Sequence, residues 1–179
     1  MKRKLFLLLT ASILSMSCIG SAFASSNEFE PYYDEEGTLI APAGGYNGVL
    51  LEDEESISPR MTPSRLFEMS YRISKKGGMV DTTGTPKHIT SEDISNGALE
   101  ICSFPSSSNT SGTLSIGLCY IDYWGYTAVP NKLRTSVSAT EDDITYLYPD
   151  LDEDKDYYGI VVSESRDYVS GTVEFNNLD

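Results

Sequence analysis

Apolar and polar side chains alternate through most of the chain beyond residue 62. Phe67, Met69, Tyr71 and Ile73 are interleaved with Glu68, Ser70, Arg72 and Ser74, the period of two that turns one face of a strand to a core. Leu99 and Ile101 alternate with Glu100 and Cys102. Leu114, Ile116, Leu118 and Tyr120 alternate with Ser115, Gly117, Cys119 and Ile121. Leu133 to Val137, Ile144 to Tyr148, Tyr157 to Val162 and Val169 to Phe175 extend the series. Turn-forming residues separate these runs: Gly77-Gly78, Pro105 to Gly112, Gly125, Pro130-Asn131, Pro149-Asp150 and Ser165-Arg166-Asp167. The one helix-like stretch is a single turn at Thr90 to Ile94. Seven to nine short strands in about 115 residues predict an all-β fold, an antiparallel β-sandwich over residues 63–179.

Residues 25–62 break the pattern. Nine acids precede the first base of the stretch, Arg60, and Pro31, Pro42, Gly44, Gly45, Gly48 and Pro59 punctuate it. Self-repulsion and sparse apolar residues predict a flexible acidic arm, either a propeptide or tether, or a tail that only solvates. Ahead of it, residues 1–24 have the form of a secretory signal peptide. Lys2, Arg3 and Lys4 make a basic start, Leu5 to Met16 an apolar run, and Ala22-Phe23-Ala24 a small-x-small cleavage site. The run is short for a membrane span, so the expectation is a secreted, extracellular chain without membrane insertion. Cys18 raises the alternative of a lipoprotein, although Ser15 stands where a lipobox has a branched apolar residue.

Composition narrows the function. The 179 residues fit one domain plus an appendage. With 27 acids against 13 bases and a formal charge of −14, no basic stripe is available for nucleic acid. A single histidine excludes a His-rich metal site. Removal of the leader would leave two cysteines, Cys102 and Cys119, an even count for an oxidising compartment. If their strands are neighbours, register parity puts both sulfurs on the same, more polar face, and an intramolecular disulfide is expected, contributing about 3 kcal/mol.

Leu151-Asp152-Glu153-Asp154-Lys155-Asp156-Tyr157 resembles the E–F corner of fibronectin type III-like sandwiches, in which a Leu precedes the corner Tyr by six residues. Glu153 stands where that corner has a Pro. The wider pattern, through Tyr168-Val169-Ser170-Gly171-Thr172-Val173, is similar to small secreted β-sandwich proteins of Gram-positive bacteria. The resemblance implies an immunoglobulin- or fibronectin III-like sandwich, with a jelly-roll as the other form, and a Tyr157 hydroxyl bonded to nearby backbone. It implies no activity.

Three sets of residues are candidates for chemistry. Asp150, Asp152, Asp154 and Asp156 alternate as in a calcium loop, but Lys155 and Val161 occupy the positions where an EF-hand needs Gly and Glu. A weak Ca²⁺ site or a plain charged loop are the two readings; no other cofactor is expected. Tyr120, Tyr123, Trp124 and Tyr126 form the densest aromatic cluster, with Asp122 and Gly125 forcing a turn. Tyr123, Trp124 and Tyr126 then make either a binding patch for a glycan or protein, or a cover for one end of the sandwich. No catalytic set emerges. Ser115 lacks the Gly-x-Ser-x-Gly elbow, His88 sits in an unremarkable strand entry, and Ala43 to Gly48 lacks the Lys and helix of a phosphate loop. The expected function is therefore non-enzymatic binding of an extracellular or cell-surface partner or glycan. The alternative is a small secreted hydrolase using a carboxylate pair that the sequence does not single out.

Overall fold

The computed structural model describes residues 32–51, 65–94, 96–106 and 112–178. Among them lie thirteen strands: β1 (Tyr32–Tyr33), β2 (Leu39–Pro42), β3 (Gly48–Leu51), β4 (Arg65–Ile73), β5 (Met79–Asp81), β6 (His88–Ile89), β7 (Leu99–Pro105), β8 (Thr113–Ile121), β9 (Tyr126–Val129), β10 (Arg134–Ser138), β11 (Asp143–Leu147), β12 (Tyr157–Ser163) and β13 (Val169–Asn177). They form two sheets, and every strand pairing is antiparallel. The eight-stranded sheet runs β1-β2-β9-β8-β12-β5, with β10 also on β8 and β6 also on β12; the five-stranded sheet runs β11-β7-β13-β4-β3. The β-sandwich expected from the alternation is the observed fold. Its winding is of the jelly-roll kind: the chain changes sheets between β2 and β3, β4 and β5, β6 and β7, β7 and β8, and at each step from β10 to β13. The helix-like turn is a short 3-10 turn at Ser91–Asp93, closed by a capping box between Thr90 and Asp93.

The alternating residues do what their period requires. Phe67, Met69, Tyr71 and Ile73 of β4, Val173 and Phe175 of β13, and Leu99 and Ile101 of β7 point into one core. Leu114, Ile116 and Leu118 of β8 and Val161 of β12 meet them from the other sheet. Phe67 and Phe175 stack with ring centroids 4.7 Å apart. The corner tyrosine is in place as well. Tyr157 is buried, its hydroxyl accepts the Asp152 N–H at 3.0 Å, and Leu151 packs on the core beside it. That bond pins the crossing from β11 to β12.

A second apolar cluster lies on the outer face of the eight-stranded sheet: Leu39, Ala41, Met79, Cys119, Val129, Ile160 and Val162. Here the sequence-based expectation is corrected. Residues 32–51 of the expected flexible arm are built into both sheets, β2 on β9 and β3 on β4, with Leu39 and Ala41 fully buried. Pro42, Gly44 and Gly45 obscure their period, yet the buried Leu39 and Ala41 and two ladders hold the segment. Residues 1–31, where the expected leader and Cys18 fall, and residues 52–64 lie outside the described residues. The strand count exceeds the expected seven to nine because β1, β2, β3, β5, β6 and β9 have only two to four residues, too few to display a period.

Asp81 fastens this cover. Its fully buried carboxylate accepts the Gly44 N–H and Thr83 N–H at 2.9 Å each, the Thr127 hydroxyl at 2.9 Å and the Thr83 hydroxyl. Four donors replace the water that a buried carboxylate has lost.

The cysteines are also corrected. Cys102 and Cys119 are both buried and are not bridged to each other. Parity put each sulfur on the outer face of its strand correctly, but β7 and β8 belong to different sheets, so those faces point away from each other. Cys102 lies between Ile144 and Glu174 in register, whereas Cys119 sits in the second apolar cluster. Burial pushes the Cys119 thiol well up, and the Asp81 charge adds to it.

Two outcomes are expected. Alkylation of the unreduced protein in denaturant should label both Cys102 and Cys119, read by peptide mass spectrometry. Asp81→Ala, which removes the acceptor of the buried Thr127 hydroxyl and of the Thr83 N–H, should lower the unfolding free energy by about 2 kcal/mol in urea titrations.

Candidate functional site

The hairpin joining β8 to β9 is closed by Asp122-Tyr123-Trp124-Gly125. Asp122 organises it twice over. Its carbonyl accepts the Gly125 N–H at 3.1 Å, and its Oδ1 accepts the Trp124 and Tyr126 N–H groups at 2.9 and 2.8 Å. The Asp122 N–H closes the ring onto the Tyr126 carbonyl at 2.8 Å. Gly125 takes the left-handed conformation, φ 81°, that returns the chain to β9 after such a turn. The backbone of the tip is therefore held without help from the two side chains at its apex.

Those side chains are free to face solvent. Tyr123 is 94% exposed and Trp124 78%, with their rings edge to face at 5.4 Å and 85°. Tyr126 and Ile121 flank them, each exposed. Tyr120, the fourth aromatic of the sequence cluster, goes elsewhere. It stands edge-on to Tyr157, centroids 6.1 Å apart, with the Lys155 ammonium 4.6 Å above its ring. The cluster thus divides into an outward tip and an inward corner.

The alternating aspartates do not assemble. Asp152 pairs with Lys155 at 3.2 Å and also accepts the Asp154 N–H, and the Lys155 hydrogen bond holds the Asp152 carboxyl below its usual range. Asp150, Asp154 and Asp156 point to solvent along the same loop. Among the described residues no three His, Cys, Asp or Glu side chains converge as metal ligands. Asp150, Asp152, Asp154 and Asp156 thus lie on an exposed loop with a lysine inside it, which spreads carboxylates rather than gathering them.

Nor do Ser115 and His88 come together. Ser115 is on β8 and His88 on β6, on opposite sides of β12 and four residues apart in its register. The two buried acids among the described residues, Asp81 and Glu174, occupy opposite outer faces of the sandwich and do not face each other. Glu174 is engaged by Arg65 at 3.4 Å, which also binds Glu68 at 2.7 Å.

The sequence reading missed a second exposed aromatic stripe. Ile144, Tyr146 and Tyr148 project outward along the edge strand β11 and beyond its end, while Leu147 turns into the core. The Glu100 carboxylate beside Tyr146 pushes its hydroxyl pKa up. Alternation revealed the strand; it did not say which of two apolar-rich faces would be the wet one.

No protein-family model matches the chain, and no curated protein does. The solved structures similar to this chain include the following two. One is a carbohydrate-binding module of Cellvibrio mixtus lichenase 5A in complex with cellotriose, 12% identical, covering 80% of this chain and 98% of that one, TM-score 0.41. The other illustrates the promiscuous specificity of carbohydrate-binding modules from the β-sandwich superfamily; it is 13% identical, TM-score 0.40, and covers 81% of this chain. This chain spans 57% of the latter's length.

Because Trp124 stands exposed at the hairpin tip, Trp124→Ala should change the unfolding free energy by less than about 0.5 kcal/mol, followed by circular dichroism in urea. Asp122→Ala, which releases two backbone N–H groups, should cost about 1 kcal/mol in the same titration.

Proposed function

We propose that the chain is a secreted, non-enzymatic β-sandwich module that binds a neutral extracellular or cell-surface glycan through Tyr123 and Trp124, with Tyr126 at their flank. One observation carries this reading: two large aromatic rings stand in solvent on a backbone already fixed by Asp122 and Gly125. A fixed tip loses little conformational freedom on binding, so more of the ring desolvation remains as affinity. Tyr and Trp are the residues that most often dominate such contacts, and an indole face suits the C–H face of a sugar ring. The formal charge of −14 favours uncharged ligands over polyanions. The basic start, apolar run and Ala22-Phe23-Ala24 of residues 1–24 support an extracellular address.

Affinity electrophoresis against neutral plant and microbial polysaccharides, with cello- and xylo-oligosaccharide titrations of the Trp124 emission, tests this. At least one neutral glycan should retard the protein and shift the emission, and Trp124→Ala should weaken binding roughly 30-fold or more at unchanged stability. Retardation that persists in Trp124→Ala, or none with any neutral glycan, would refute the tip as the site.

A further inference from the structure

The five-stranded sheet ends on β11, and that edge is open. Which backbone groups it leaves unpaired follows from the phase of the ladder beside it. The Ser106 N–H donates to the Ser170 carbonyl at 2.8 Å, in step with the register that sets Pro105 opposite Gly171. Along an antiparallel strand, successive residues turn their N–H and C=O to opposite sides. Even-numbered residues of β7 therefore bond to β13, whereas Leu99, Ile101 and Ser103 bond to β11, opposite Leu147, Thr145 and Asp143. Pro105, with no N–H to donate, falls in the odd set just past the end of β11. The N–H and C=O groups of Ile144 and Tyr146 then point out of the sheet, where among the described residues no other strand meets them.

This edge lacks the devices that keep sheet edges apart. Asp143–Leu147 contains no Lys or Pro, and its pairing with β7 runs without a bulge. The strands β1, β5 and β6, by contrast, have only two or three residues. Beside the open backbone groups stand apolar side chains in solvent: Ile144 is 57% exposed, Tyr146 49% and Tyr148 73%. The charge around them has one sign. Glu141, Asp142 and Asp143 precede the stripe, Asp150 follows it, and residues 135–154 contain no base.

We propose that the β11 edge binds an extended basic peptide by strand addition. The peptide backbone pairs with Ile144 and Tyr146, its alternate apolar side chains lie against Ile144, Tyr146 and Tyr148, and Lys or Arg at its ends meets the flanking acids. A second copy of this chain has the right backbone and the wrong charge. Antiparallel pairing would set Glu141 to Asp143 of one copy beside Asp150 of the other, and parallel pairing would set each acid run beside itself. A neutral glycan has no ladder of N–H and C=O groups to match. The edge belongs to the opposite sheet from the aromatic tip, so the proposal stands apart from the glycan reading.

The mature protein is titrated, by fluorescence anisotropy, with labelled nine-residue peptides that carry two lysines at each end, Val, Ile, Tyr or Phe at the third, fifth and seventh positions, and Thr between them. At least one should bind, and at saturation the Ile144 and Tyr146 amides should exchange with deuterium roughly tenfold or more slowly. Replacing the lysines by glutamates should weaken binding roughly tenfold or more. Ile144→Pro and Tyr146→Pro delete N–H groups that β7 does not use, so each should abolish binding while the far-UV spectrum stays native. N-methylation gives a check that needs no variant. Of two peptides methylated at the even or at the odd backbone nitrogens, only one should bind, because an added strand turns alternate residues toward β11. Trp124→Ala should bind as the wild type does. No binding by any peptide, binding without protection of Ile144 and Tyr146, or equal affinity for the glutamate form overturns the proposal. So does binding of both N-methylated peptides or of neither. Loss in Trp124→Ala would move the peptide to the aromatic tip, and a concentration-dependent dimer abolished by Tyr146→Pro would make a second copy the occupant; either result overturns it too.

Discussion

Ile160, Val161 and Val162 follow one another in β12, so however that strand is turned it presents apolar side chains to both sides of its sheet. Val161 joins the core between the sheets; Ile160 and Val162 face outward, where Met79 and Cys119 extend the apolar surface. Left open, such a surface would draw other chains. The N-terminal strands close it, bringing Leu39 and Ala41 down onto the sheet, and the buried Asp81 carboxylate holds the returning loop through Gly44. A charge is thereby spent inside an apolar cluster, tolerable because four donors surround it. The N-terminal strands, though short, are as much part of the fold as the longer ones.

Much of this was legible. Phe67 to Ile73, Leu114 to Leu118 and Val169 to Phe175 alternate cleanly because each has one dry face and one wet one, and the structure buries the face that the pattern marks. β12 reads less clearly for the reason just given: a strand covered on both sides has no need to alternate. Residues 39–51 were misread because their burial depends on a surface contributed by β5, β8, β9 and β12, all distant in sequence. The cysteine pairing failed on topology rather than on geometry. Strand parity is a local property, whereas membership of a sheet is decided by where the chain crosses, and here β7 and β8 are consecutive without being neighbours.

The two sites differ in the same way. The aromatic hairpin is written in five consecutive residues, Asp122 to Tyr126, and an Asp followed three places on by Gly is enough to predict a turn whose intervening side chains point away. The open edge is set by β7 and β13 as much as by β11, since they decide that β11 comes last and which of its backbone groups stay unpaired. No window of sequence contains it, and Asp143 to Leu147 reads like any other strand until the sheet is formed. What a single stretch encodes can be read from it. What three strands share cannot.

The central strands of both sheets are the last to be synthesised. β12 lies between β8 and β5, and β13 between β7 and β4, so neither sheet can be completed while residues 157–177 are still within the ribosome. Every earlier strand of the five-stranded sheet waits for a partner more than sixty residues downstream, or for one that itself waits. Long-range pairings of this kind form slowly and give nothing back until the connecting chain has been ordered. The core between the sheets therefore stays open until these strands emerge, while local pairings such as the β8–β9 hairpin can already form, and the exposed apolar faces demand protection from aggregation in the meantime.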